Sequence, residues 1–179
     1  MTPEEYVQLK AFARIDGFRL SLLWIGSFVC YIVGMSNPSW LMAAFVLAII
    51  SLFFVVRRLR WFRDWVRDGN ISFMRSWGFV VLVFFYAGLL FALAQYAYFA
   101  FLDHGYFMQM THTMMSQPES EQLIKEYGMT ETLNESLHEM QAMRPIDMAL
   151  NMLTTNIMLG MLVGIPIAAL MKRNTRPIS

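Results

Sequence analysis

The chain has 179 residues, of which 57% are hydrophobic, and a formal net charge of +1. Soluble domains hold roughly 45–50% apolar residues, so this composition excludes an ordinary soluble domain. A single cysteine, Cys30 inside an apolar run, excludes a disulfide framework and a cysteine-based zinc site.

At the N-terminus Thr2 reads as a helix cap, Pro3 as a first helical residue, and Glu4 and Glu5 as favourable charges in the first turn. This acidic opening lacks the positive charge that begins a cleavable signal peptide. An N-terminal amphipathic helix is expected to start at once, run through Lys10 and Arg14, and break near Gly17. Four almost purely apolar runs follow, at about 18–35, 40–56, 77–102 and 146–171. Each is long enough to cross the ~30 Å hydrocarbon core as a helix. The expected fold is all-α: one polytopic membrane domain over 1–179 with four transmembrane helices.

Between the second and third spans lies a basic hairpin, 57–76, containing "RRLRWFRDWVRDGN". Trp61, Phe62, Trp65 and Val66 recur at helical spacing, with Arg60, Arg63 and Arg67 on the other side. That pattern predicts an amphipathic helix lying in the membrane interface. It anchors topology. It also makes Arg57, Arg58, Arg60, Trp61, Arg63, Trp65 and Arg67 candidates for binding a lipid phosphate or a protein partner. With its arginines pinned at the lipid surface, the hairpin does not read as a nucleic-acid site.

An acidic segment, 103–145, separates spans three and four. The third helix is expected to extend outward through "HGYFMQMTHTMM". His104, Met108, His112 and Met115 then share one face, as weak candidates for copper. The ladder is about 16 Å long at 1.5 Å per residue, too long to surround one ion. The chain also uses Met generally, 16 in all, as an adaptable filler. No metal or other cofactor is expected. "SQPESEQLIKEYG" and "TETLNESLHEMQAMR" read as two further helices, the second capped by Thr130 and carrying an apolar stripe of Leu133, Leu137 and Met140. Together they predict a periplasmic helical cap.

The last span opens at Pro145 and carries a polar load, Asp147, Asn151, Thr154, Thr155 and Asn156. Gln95 lies in the outer half of the third span. Polar side chains in hydrocarbon seek the bundle interior or a wet cavity, so Gln95, Asn151, Thr155 and Asn156 are the candidate lining of a pocket. Gly160, Gly164 and Ala168 continue from Asn156 in steps of four, a small-residue face for close helix packing. Pro166 is expected to weaken or kink the inner half of this helix.

Twelve of the 14 Lys and Arg lie in the N-terminal part through Arg19, in the hairpin or after span four; only Lys125 and Arg144 lie in the 103–145 segment. By the positive-inside rule both termini are expected in the cytoplasm of a bacterial inner-membrane protein, with 103–145 outside.

At "YAYFAFLDHGYF", and again at "RPIDMALNMLTTNIMLGMLVGIPIAALMKR", the chain resembles a family of small four-span inner-membrane proteins of Gram-negative bacteria catalogued as a domain of unknown function. The resemblance covers most of the chain and rests on layout rather than on a sharp motif. It carries over no catalytic residue. It implies an accessory role in envelope or lipid-linked glycan metabolism, beside a partner such as a polyprenyl-phosphate glycosyltransferase. The expected function is a non-enzymatic membrane subunit or scaffold that associates with itself or that partner. The alternatives are a lipid-handling protein and a copper-responsive envelope protein.

Overall fold

The computed structural model describes residues 2–173; Arg176, counted above in the basic tail, lies outside them. The chain is an all-α polytopic membrane protein. Its helices are α1 (Pro3–Gly34), α2 (Ser39–Trp61, continued by a π-helical turn Phe62–Val66), α3 (Phe73–Phe101), α4 (Tyr106–Met115), α5 (Pro118–Glu126), α6 (Thr130–Ala142) and α7 (Pro145–Met171). Four of them, α1, α2 with its π turn, α3 and α7, are long and apolar enough to cross a membrane.

The start of α1 follows its sequence. Glu5 N–H donates to Thr2 Oγ1 at 3.3 Å, and Thr2 N–H donates to Glu5 Oε2 at 3.0 Å, a reciprocal cap. The break expected at Gly17 is absent: α1 is one helix of 32 residues. Gly17 serves close packing instead. A Cβ there would lie 2.6 Å from Tyr86 Cβ and 3.0 Å from the Val83 carbonyl, so the missing side chain lets α1 settle onto α3.

The hairpin also departs from expectation. It forms no separate interfacial helix; α2 runs on to Trp61 and passes directly into the π turn. That turn carries Phe62 into the core, 1% exposed and stacked on Phe79 at 4.8 Å between ring centroids, while Trp65 stays 76% exposed. Trp61, Phe62 and Trp65 are therefore not one aromatic belt. Asp68 and Gly69, both at positive φ, turn the chain into α3.

Helix α3 is central. It packs against α1 on one side and α7 on the other, and α2 packs on α1. The spatial order is α2–α1–α3–α7, and α2 meets α7 over only a short stretch. The glycine face of α7 makes the α3 contact. A Cβ on Gly160 would lie 2.5 Å from Phe84 Cβ, and Gly164 faces Trp77, whose indole N–H donates to the Met161 carbonyl at 3.0 Å. Ala168 is fully buried. The helix continues through Pro166 to Met171.

Glu5 binds Arg67 and Arg75, and Ile71 pairs backbone-to-backbone with Arg173. The beginning of α1, the α2–α3 turn and the end of α7 thus gather at one end of the bundle, the arginine-rich end. Helices α4–α6 occupy the opposite, cap end. There the Ser36 hydroxyl in the α1–α2 turn hydrogen-bonds the Tyr106 hydroxyl of α4.

Candidate functional site

The short α2–α7 contact leaves a cleft. It holds a cavity of about 650 Å³ lined by all four spanning helices and by Phe107 of α4. Its walls follow from helical spacing. Trp24, Ser27, Phe28 and Tyr31 form one face of α1; Leu41, Ala44, Phe45 and Ala48 form the facing side of α2. Behind them runs a ladder of edge-to-face rings: Trp24–Phe91, Phe28–Phe91, Phe28–Phe99 and Phe99–Phe107, with centroids 5.6 to 6.1 Å apart. Such pairs add rigidity as well as apolar area. Phe45 of α2 and Met152 of α7 are 63% and 46% exposed, so the cavity is open to the bundle surface between these two apolar helices.

Two polar residues of the predicted pocket meet here, Gln95 and Asn156. Gln95 is 2% exposed and its amide oxygen is buried without a hydrogen-bond partner. Ser27 is already satisfied, donating to the Ala44 carbonyl at 2.9 Å and tying α1 to α2. Among the described residues, no charged side chain lines the cavity. The other two predicted residues lie elsewhere. Asn151 and Thr155 are four residues apart, on the neighbouring face of α7, and both are exposed. The Asn151 amide reaches the Met143 sulfur at 3.7 Å. Helical geometry explains the split: Met152 and Asn156 share the cavity face, and stepping back one residue rotates the side chain by about 100°.

A model of a protein family of unknown function, DUF4199, matches residues 16–173. The chain belongs to the DUF4199 family. No curated protein and no solved structure matches it. For this DUF4199 chain the family description assigns no activity, so any functional reading rests on its own residues.

The arginines proposed as a single basic face are divided among separate tasks. Arg58 Nε donates to buried Asp16 Oδ1 at 2.7 Å and its guanidinium lies over the Trp61 ring at 4.7 Å. Arg63 pairs with Asp64 at 2.6 Å and also donates to the Met171 carbonyl at 3.3 Å. Arg67 and Arg75 each donate to Glu5 at 2.7 Å. Arg57, Arg60 and Trp65 remain exposed.

The DUF4199 chain does not present the His/Met ladder as one helix either. Helix α3 ends at Phe101, His104 and Gly105 take positive φ, and α4 starts at Tyr106. Asp103 makes the break: its carboxylate accepts from Gly105 N–H at 3.1 Å and Phe107 N–H at 3.0 Å. His104 is thereby separated from Met108, His112 and Met115. His112 Nε2 instead hydrogen-bonds the Gln141 amide at 3.1 Å. Among the described residues no three His, Cys, Asp or Glu side chains are grouped to hold a metal ion. Thr130 is the first residue of α6 rather than its cap. Its stripe is used: Leu137 is 6% exposed. Leu133 and Leu137, together with Ile124 and Met115, face a smaller cavity of about 310 Å³ within the cap.

Proposed function

We propose that the chain is a non-enzymatic integral inner-membrane protein that binds a lipid in the α2–α7 cleft. The observation that carries this reading is the buried, unpartnered amide oxygen of Gln95 in a cavity otherwise walled by aromatic and aliphatic side chains. An unpaired buried acceptor costs on the order of 1–3 kcal/mol, and a ligand that donates to it relieves that cost. The cavity volume of about 650 Å³ falls in the range of small-molecule sites, which combine apolar walls with a few placed polar groups. The opening between α2 and α7 admits a molecule already dissolved in the bilayer. Among the described residues its lining is uncharged, which favours holding a ligand over acid–base chemistry on it.

The excess of Lys and Arg at one end supports an orientation with both termini in the cytoplasm and α4–α6 outside. A scaffold that self-associates through the small-residue face of α7 has less behind it, because Gly160 and Gly164 are already occupied by Phe84 and Trp77 of the same chain. The physiological setting we propose is the one the family resemblance implies, an accessory role in lipid-linked glycan metabolism beside a polyprenyl-phosphate glycosyltransferase. The apolar chains of such lipids suit the cleft.

Photo-crosslinking tests the reading. A fatty-acid probe carrying a diazirine, supplied in membranes, is expected to label residues 41–48 and 152–156. Uniform labelling along every lipid-facing helix surface would contradict a specific site.

A further inference from the structure

The arginine-rich end contains a second groove, of about 670 Å³, between the first turns of α1, the α2–α3 turn and the adjoining part of α3. We infer that this groove seats an anionic phospholipid, its phosphate at Arg67 and Arg75 and an acyl chain along α3. The inference does not depend on the α2–α7 cleft.

The groove is graded in polarity. Arg67, Ser72 and Arg75 line it at the α2–α3 turn and the start of α3, and its lining continues along α3 through Gly78 to Leu82. A Cβ on Gly78 would meet nothing within 4 Å, so this part of the helix is an open trough. A basic end followed by an apolar trough is the order of headgroup and chain in a phospholipid lying against the helix.

The basic end has unfilled capacity for an anion. Glu5 takes one N–H from each guanidinium, at 2.7 Å. A guanidinium offers five donors. Arg67 Nε is buried with no partner. Two guanidiniums against one carboxylate leave one net positive charge. Phosphate oxygens match the guanidinium fork and form charge-assisted hydrogen bonds with it. An acidic protein segment would satisfy the basic end but not the trough, which lies within a membrane-spanning helix.

The test uses the full-length protein in phosphatidylcholine nanodiscs containing a minor fraction of phosphatidylglycerol, with retained lipid read by native mass spectrometry. The wild type is expected to retain phosphatidylglycerol in preference to phosphatidylcholine. Arg75→Gln should reduce that preference about tenfold, a typical effect of losing one charge-assisted contact. Gly78→Leu should reduce it as well, and because that Cβ enters open space the fold is expected to survive. Glu5→Gln separates the two roles of the arginines: it should raise the preference if they bind lipid and leave it unchanged if they only pair with Glu5. Equal retention of the two lipids by the wild type, or an unaltered preference in Gly78→Leu, would overturn the inference. Inorganic phosphate alone is expected to give no thermal stabilisation. Stabilisation by phosphate equal to that by the lipid would show an anion site without a lipid trough, and would also overturn it.

Discussion

Asp16 Oδ1 accepts a 2.7 Å hydrogen bond from Arg58 Nε, joining α1 to α2 across 42 residues of sequence. The Asp16 side chain is 1% exposed, and Arg19 supports it at 3.5 Å. Removing Arg58 leaves the buried Asp16 carboxylate with only the longer contact to Arg19 at 3.5 Å. Arg58→Leu is therefore expected to destabilise the protein by roughly 3 kcal/mol, the lower end for a broken buried pair. Asp16→Asn with Arg58→Leu should recover much of that loss. Thermal unfolding in detergent checks both. A single variant as stable as the wild type would show that the pair is not a structural link.

Gly160→Ile tests the α3–α7 contact. The new Cβ would fall 2.5 Å from Phe84 Cβ and 2.7 Å from Phe84 Cγ, where no flexible chain end can yield. Forcing such atoms apart costs at least about 1–3 kcal/mol. The expected outcome is a lowered melting temperature without a change in oligomer size, because the glycine contact is within one chain. Loss of an oligomer with unchanged monomer stability would place the contact between chains instead.

Asp103→Ala tests the turn between α3 and α4. It removes both acceptors that hold Gly105 and Phe107 N–H. Losing side-chain acceptors of this kind at the start of a helix costs about 1 kcal/mol. Amide exchange over 105–109 should accelerate while α3 stays protected. Unchanged exchange would mean that Gly105 alone sets the turn.

The architecture was legible because it is written in long apolar runs and in the distribution of Arg and Lys, signals that survive averaging over many residues. Gln95 and Asn156 were legible as a pair because polar residues in a span have few places to go. Asn151 and Thr155 were misplaced with them because composition does not say which helix face looks inward; a rotation of about 100° decides it. Gly17 misled for a related reason. A glycine that ends a helix and a glycine that admits a neighbouring helix look alike in sequence, and only Tyr86 against it tells them apart. Sequence reasoning missed the partners of the basic residues. In sequence Glu5 looks like a first-turn charge alone, and it is also the acceptor for two arginines more than sixty residues away. The aromatic wall of the cleft was within reach, since Trp24, Phe28 and Tyr31 recur at the spacing of one helical face. Its meaning depended on α2 standing away from α7, which no local pattern encodes.

Native mass spectrometry after gentle extraction tests the lipid-binding cleft most directly, comparing the wild type with Ala48→Trp, which fills the cavity from its exposed α2 side, and Gln95→Leu, which removes the unpartnered acceptor. The wild type is expected to retain, beyond any phospholipid at the arginine groove, a further lipid that is lost in Ala48→Trp and weakened in Gln95→Leu, with all three proteins folded. A wild type that retains no lipid beyond the phospholipid of the arginine groove, or the same number of lipids held equally by all three, would contradict a lipid site in the cleft.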